Sequence, residues 1–198
     1  MASQAASDVG RGNAIANRCI GLRHAARQRH LGGHQIRWCC LITVWRIGYC
    51  ENPAPAESAL RVTLGLGATL GNGRWHTQGL QQVVYGASTR SLAQLEKRVH
   101  TNGSNPKNQA LMRLELPKGA TLLDVNSLGL PATWRSDEAA TQRIGMTWLS
   151  GVSCLGLWVP SFVEPEEMNL LINPLHPQYQ KVKVTIERNP FTFDPRLF

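Results

Sequence analysis

The stretch Val152-Ser153-Cys154-Leu155-Gly156-Leu157-Trp158-Val159 is apolar almost without a break and is closed by Pro160-Ser161. It is short for a helix and lacks the alternation of a strand with one wet face, so it fits a central strand buried on both sides. A chain that holds such a strand must bring cover to both faces of a sheet. The rest of the sequence supplies the parts. Strands are expected at Trp38 to Trp45, Val83 to Tyr85, Leu111 to Leu116, Asn169 to Asn173 and Lys181 to Ile186. In the third and fifth of these, apolar and charged residues alternate with the period of a half-exposed strand. Residues 56 to 73, punctuated by Gly65, Gly67, Gly71 and Gly73, read as loop. Six strands and two helices in mixed order indicate one α+β domain.

The first helix is expected from a Ser88 cap through His100, with Leu92, Leu95 and Val99 recurring on one face. At about 100° per residue, Glu96 falls within that apolar arc while Lys97 and Arg98 turn outward. A carboxylate there is costly to desolvate unless it is paired. The residues alone leave open a structural salt bridge, a helix rotated toward water, or a functional acid. The second helix is expected to start at Ser136, with Asp137 and Glu138 favoured in its first turn by the dipole, and to run to Gly151 with Ala140, Ile144 and Trp148 inward.

The net charge of +8 is unevenly spread. Residues 1 to 40 hold six arginines, no lysine and a single acid, Asp8. The remaining chain carries 15 basic and 12 acidic residues, only +3. Three of the six histidines and three of the five cysteines also lie in the first forty residues, which show little apolar periodicity. Residues 1–40 therefore read as a basic N-terminal extension, disordered or an over-extended gene start, ahead of a domain spanning 41–198. His30, His34 and Cys39 match no zinc spacing, and no metal is expected. The basic tail lacks interleaved aromatics, so no direct nucleic-acid partner is expected. Cys50 and Cys154 do not make a disulfide framework, and the longest uncharged apolar run is far short of the roughly 20 residues of a membrane span. A cytoplasmic protein without membrane association is the expectation.

Arg74, Tyr85 and Glu96 stand eleven residues apart, and Arg74 follows the turn Gly71-Asn72-Gly73. With Trp45-Arg46-Ile47 before them and Val159-Pro160-Ser161, Asn169-Leu170-Leu171-Ile172-Asn173-Pro174 and Pro190-Phe191-Thr192-Phe193-Asp194-Pro195-Arg196 after them, these motifs resemble, in order, the RES-domain family. That family is the toxin component of bacterial RES–Xre toxin–antitoxin systems and takes its name from an arginine, a glutamate and a serine. The three fall here on Arg74, Glu96 and Ser161, and Tyr85 and Arg46 match a further tyrosine and an N-terminal arginine. Asn72-Gly73 stands where the family commonly has two glycines, and asparagine tolerates the left-handed backbone such a turn needs.

The resemblance implies an ADP-ribosyltransferase-like mixed β-sheet core with flanking helices, NAD as substrate, cleavage of its nicotinamide–ribose bond, and an Xre-type antitoxin partner, with a homodimer inside the toxin–antitoxin complex. The acceptor is left open among water, phosphate and a protein; a catalytically silent binding module is the reading from another class. The residue types suit the chemistry. Loss of neutral nicotinamide leaves an oxocarbenium-like ribose, which a carboxylate at Glu96 can stabilise. Arg74 and Arg46 are candidate ligands for the phosphates, by the fit of guanidinium to phosphate. Tyr85 is a candidate face for the cationic nicotinamide, or a core tyrosine. Ser161 is a candidate hydrogen-bond donor at the site, or a turn serine.

Overall fold

The computed structural model describes residues 36–37 and 41–197, residue 80 excepted. His30, His34 and Cys39, most of the basic extension and the start of the strand expected from Trp38 lie outside the described residues. Eight strands form one sheet in the order β1-β5-β6-β7-β3-β2-β4-β8. They are β1 (Ile36–Arg37), β2 (Thr43–Tyr49), β3 (Val84–Ala87), β4 (Gln109–Glu115), β5 (Thr121–Asp124), β6 (Gly156–Pro160), β7 (Met168–Ile172) and β8 (Lys183–Arg188). Helices α1 (Glu57–Thr63), α2 (Arg90–Val99) and α3 (Glu138–Gly151) complete an α+β fold, as expected. All neighbours are antiparallel except β5 and β6. That parallel pair needs a crossover, which α3 supplies.

The apolar run does lie at the centre, but only its second half is strand. Val152 takes a left-handed φ of 49° at the end of α3, a position that a glycine usually fills, and Gly151 is instead the last helical residue. In β6 the residues then divide between two cores. Leu157 and Val159 pack with Trp75, Trp148, Leu149 and Leu171 beneath α3, while Trp158 packs on the opposite cluster of Val44, Leu60, Leu64, Met112, Leu170 and Tyr179. Both faces of the strand are covered.

Three elements escape the sequence reading: the two-residue strand β1, α1 and β5. α1 lies in a stretch read as loop: Leu60 and Leu64, four residues apart, are buried, and Glu57 pairs with Arg61 at 2.6 Å. Strand β5 has four residues, Thr-Leu-Leu-Asp, too few to show a period.

The first expected helix forms with a different cap and a different rotation. Thr89, not Ser88, accepts from the Leu92 N–H at 3.0 Å, and the Ser88 and Thr89 hydroxyls both donate to Glu167 Oε2. Leu92 and Ala93 are buried, whereas Leu95 is 43% and Val99 55% exposed. The inward stripe is thus Leu92, Ala93, Glu96 and Lys97, and Lys97, expected to point outward, lines a cavity. The expected second helix begins at Glu138, two residues beyond Ser136, its cap supplied by Asp137, which accepts from Ala140 N at 2.9 Å.

Candidate active site

The sheet has a seam. β2 pairs with β4 over seven residues and β3 with β7 over four, yet β2 and β3 meet at the single pair Trp45↔Ala87. Beyond it the strands part, and a cavity of about 600 Å³ opens, walled by β2, β3, α2, the Gly71–His76 turn and residues 160–163. Arg46, Arg74, Tyr85 and Glu96 all line it. The fifth expected site residue, Ser161, is 0% exposed and sits directly behind Glu96.

Where pairing stops, strand donors are missing, and Arg46 replaces one. Its Nη1 donates to the Tyr85 carbonyl at 3.1 Å, bridging the seam. Desolvation lowers the guanidinium's proton affinity, and no ion pair among the described residues includes it. Arg46 is thus half-buried and bonded at the seam, not a solvated arginine at a strand end.

Glu96 comes from the inward stripe of α2. Its Oε1 accepts from the Ser161 hydroxyl at 2.8 Å and from Asn169 Nδ2 at 2.6 Å, while Oε2 has no hydrogen-bond partner among the described residues. Among the described residues no cation lies within salt-bridge range of it. Neutral donors therefore hold the carboxylate in place without neutralising it. Ser161 is itself fixed: after Pro160 ends β6, its hydroxyl oxygen accepts from the N–H groups of Val163 and Glu164, and its own N–H donates to the Glu167 carbonyl. Its contact with the carboxylate makes it a positioning residue behind the cavity wall.

Asn169 is a site residue the sequence reading did not single out. It pairs with Ala87 across β3 and with Val159 across β6, an amide inside the otherwise apolar strand Met-Asn-Leu-Leu-Ile. A polar side chain in a central strand needs a partner, and that was its available signal.

Arg74 is carried by a turn that α3 clamps. Gly73 donates to and accepts from His76 across the turn, and a Cβ on Gly73 would run into the His76 ring. Gln142 Nε2 donates to the Gly73 carbonyl and Thr141 Oγ1 to the Arg74 carbonyl. Gly145 lets the helix approach so closely that a Cβ there would sit 1.9 Å from the Trp75 carbonyl oxygen. The Arg74 guanidinium lies 4.2 Å from the centre of the Phe162 ring and donates to the carbonyls of Trp134 and Arg135. Its only carboxylate among the described residues is Glu138, at 3.9 Å; it does not pair with Glu96, which the sequence left open.

The Tyr85 hydroxyl is 2.7 Å from His76 Nδ1, and His76 Nε2 faces the carbonyls of Ala68 and Gly71 at 3.0 and 3.1 Å. Carbonyls accept, so Nε2 carries the hydrogen and Nδ1 receives the tyrosine proton. Burial lowers the His76 proton affinity and keeps the ring neutral, and burial likewise raises the Tyr85 pKa. The hydroxyl is thereby engaged, and what Tyr85 presents to the cavity is its ring. His176 does not line the cavity; it caps the short helical turn Pro177–Lys181.

Among the described residues no group of three or more histidine, cysteine or acidic side chains could hold a metal, and no helix is long and apolar enough to cross a membrane.

The Glu96 carboxylate and the guanidinium groups of Arg46 and Arg74 thus line one cavity at the seam of a mixed sheet. The chain belongs to the RES-domain family, whose family model matches residues 43–194. It is 40% identical over 136 residues to "Toxin Res" of Yersinia enterocolitica, covering 67% of this chain and 88% of that protein. It is 39% identical over 138 residues to the "Prs ADP-ribosylating toxin" of a Sphingobium species, covering 67% of this chain and 84% of that protein. Among solved structures, it is similar to the M. tuberculosis MbcT–MbcA toxin–antitoxin complex, with a TM-score of 0.56 at 16% identity over 77% of this chain and 86% of the matched chain. At that identity the likeness concerns the fold.

Proposed function

We propose that this chain is a toxin enzyme that cleaves the nicotinamide–ribose bond of NAD, as a glycohydrolase or phosphorylase, and is neutralised by a cognate Xre-type antitoxin. The observation that carries the reading is Glu96: anchored through Oε1 by Ser161 and Asn169, free at Oε2, and open to a cavity of about 600 Å³. That volume is in the range of small-molecule sites.

In this reading the C1′–N bond breaks with its electron pair going to nicotinamide, which leaves neutral and needs no general acid. The ribose becomes cation-like, and the fixed carboxylate stabilises it more than it stabilises the ground state. The lone pair of a water or phosphate oxygen then forms the new C1′–O bond, and the acceptor's surplus proton passes to solvent. Arg74 and Arg46 hold the phosphate side of the dinucleotide, and the Tyr85 ring meets the nicotinamide. We place the domain at residues 41–198, preceded by a basic extension, in the reducing cytoplasm, which suits the free buried thiols of Cys50 and Cys154. The antitoxin is expected to cover the cavity mouth, where Phe162 is exposed, in a complex holding two toxin copies.

A second reading, transfer of ADP-ribose to a protein, is favoured by the printed name of the Sphingobium relative. One assay separates them. Purified protein is given NAD with and without phosphate, beside Glu96→Gln. Nicotinamide release by the parent alone, with free ADP-ribose or its phosphorolysis product, supports the first reading. Label retained on added cell protein supports the second. Absence of any release from folded protein in the presence of cell extract refutes both.

A further inference from the structure

Resting on that reading, the cavity holds one more feature. Arg46 and Lys97 both line it, one from β2 and one from α2. Neither makes an ion pair with any described residue, and Lys97 has no hydrogen bond there either. Other half-buried cations behave differently: Arg61 is matched to Glu57 and Arg113 to Glu115 and Glu187. The two positive charges are close enough that Arg46 lowers the proton affinity of Lys97, in addition to the effect of burial. Two like charges held together away from water are a standing cost that only an anion removes. Glu96 is not that anion, since it lies beyond salt-bridge range of both.

We propose that Arg46 and Lys97 form a phosphate subsite beside Glu96, occupied either by inorganic phosphate as the ADP-ribose acceptor or by a phosphate of the dinucleotide. A tetrahedral oxyanion suits the pair: Lys97 offers a mobile point charge, and Arg46 the guanidinium edge left over from its single bond to the Tyr85 carbonyl. Lys97 and Glu96 line the same cavity from successive positions of α2, so an anion held by Lys97 shares that cavity with the carboxylate. The residue that orients the acceptor and the residue that stabilises the cation would then ride on one turn of helix.

The test measures binding by calorimetry on the full chain, with Lys97→Met and Lys97→Arg beside the parent. The probes are inorganic phosphate, ADP-ribose and nicotinamide riboside, which keeps the scissile bond but carries no phosphate. Loss of a charge-assisted contact is expected to weaken phosphate-bearing probes at least about tenfold in Lys97→Met, with Lys97→Arg within about threefold of the parent and riboside binding unchanged. Weakening of inorganic phosphate assigns the subsite to the acceptor; weakening of ADP-ribose alone assigns it to the dinucleotide. Unchanged affinity for both in Lys97→Met overturns the proposal, as does an equal loss of riboside binding. Because binding is read directly, a parent that binds phosphate through Lys97 but releases no nicotinamide would refute NAD cleavage and leave the subsite standing.

Discussion

Replacing Glu96 by glutamine keeps the shape of the side chain and removes only its charge, so its two consequences are separable. The amide oxygen can still accept from Ser161 and Asn169, which now hold Oε1 at 2.8 and 2.6 Å. Those bonds change from charged to neutral acceptors, a loss of about 1 kcal/mol each, while removal of a half-buried charge returns a desolvation cost of about the same size. Stability should therefore stay within about 1 kcal/mol, a shift of about 2–4 °C in Tm for a chain of this length. The rate should not be spared. A carboxylate about 4 Å from the developing ribose cation, in surroundings of effective dielectric constant about 20, contributes about 4 kcal/mol. Its loss lowers turnover about a thousandfold. The assay is the initial rate of nicotinamide release at saturating NAD, beside a thermal melt of the same samples. Turnover within tenfold of the parent refutes the electrostatic argument; a large drop in Tm would instead identify Glu96 as a structural residue.

Asn169→Ala leaves Ser161 as the only anchor of the carboxylate and should lower kcat about tenfold, with KM for NAD little changed; an equal loss in both constants would contradict a positioning role. Tyr85→Phe strips the buried His76 Nδ1 of its donor and should cost about 1–3 kcal/mol, read as a fall in Tm; an unchanged Tm would show that the hydroxyl does not serve that ring. Gly145→Ala forces a methyl against the Trp75 carbonyl oxygen, backbone meeting backbone, and should destabilise by about 1–3 kcal/mol; parental stability would place α3 farther from the Arg74 turn. Burial lowers the proton affinity of His76 and His176 in the folded state, so the unfolded chain takes up these protons first as pH falls through about 6.5. Stability should be complete above that pH and decline between pH 7 and 5.5 in thermal melts, and a rising Tm over that window would reverse the sign of the argument.

The sheet-forming segments were readable because burial on two faces or one imposes a simple pattern on them. The seam was not, since nothing in Trp45-Arg46-Ile47 or Val83-Val84-Tyr85 says that only one residue pair will join them. The same gap hid the true orientation of α2. Leu95 and Val99 look like core residues by spacing but stay exposed, while Glu96 and Lys97 turn toward the cavity where the strands part. Arg74, Tyr85 and Glu96 could be selected from ordered motifs, and the structure brings all three to one cavity. Asn169 could not, because its work depends on which strand lies beside α2. Ser161 was legible as a hydrogen-bond donor but its acceptor was not: the turn that ends β6 folds its hydroxyl back under the Glu96 carboxylate.

The single Trp45↔Ala87 pair has a mechanical meaning. The two anchors of Glu96, Ser161 and Asn169, belong with the β3–β7–β6 side, whereas Arg46 stands on the β2–β4–β8 side and reaches across by one hydrogen bond to Tyr85, and α2, which carries Glu96, packs Leu92 and Ala93 against Ile47 and Leu111 of that second side. In the proposed function the two half-sheets form the jaws of a vice that α2 spans, with the substrate between them. A protein that pried those jaws apart by an ångström, gripping only their outer edges, would disarm the site without ever entering it, and such an inhibitor could not be displaced by raising the substrate concentration.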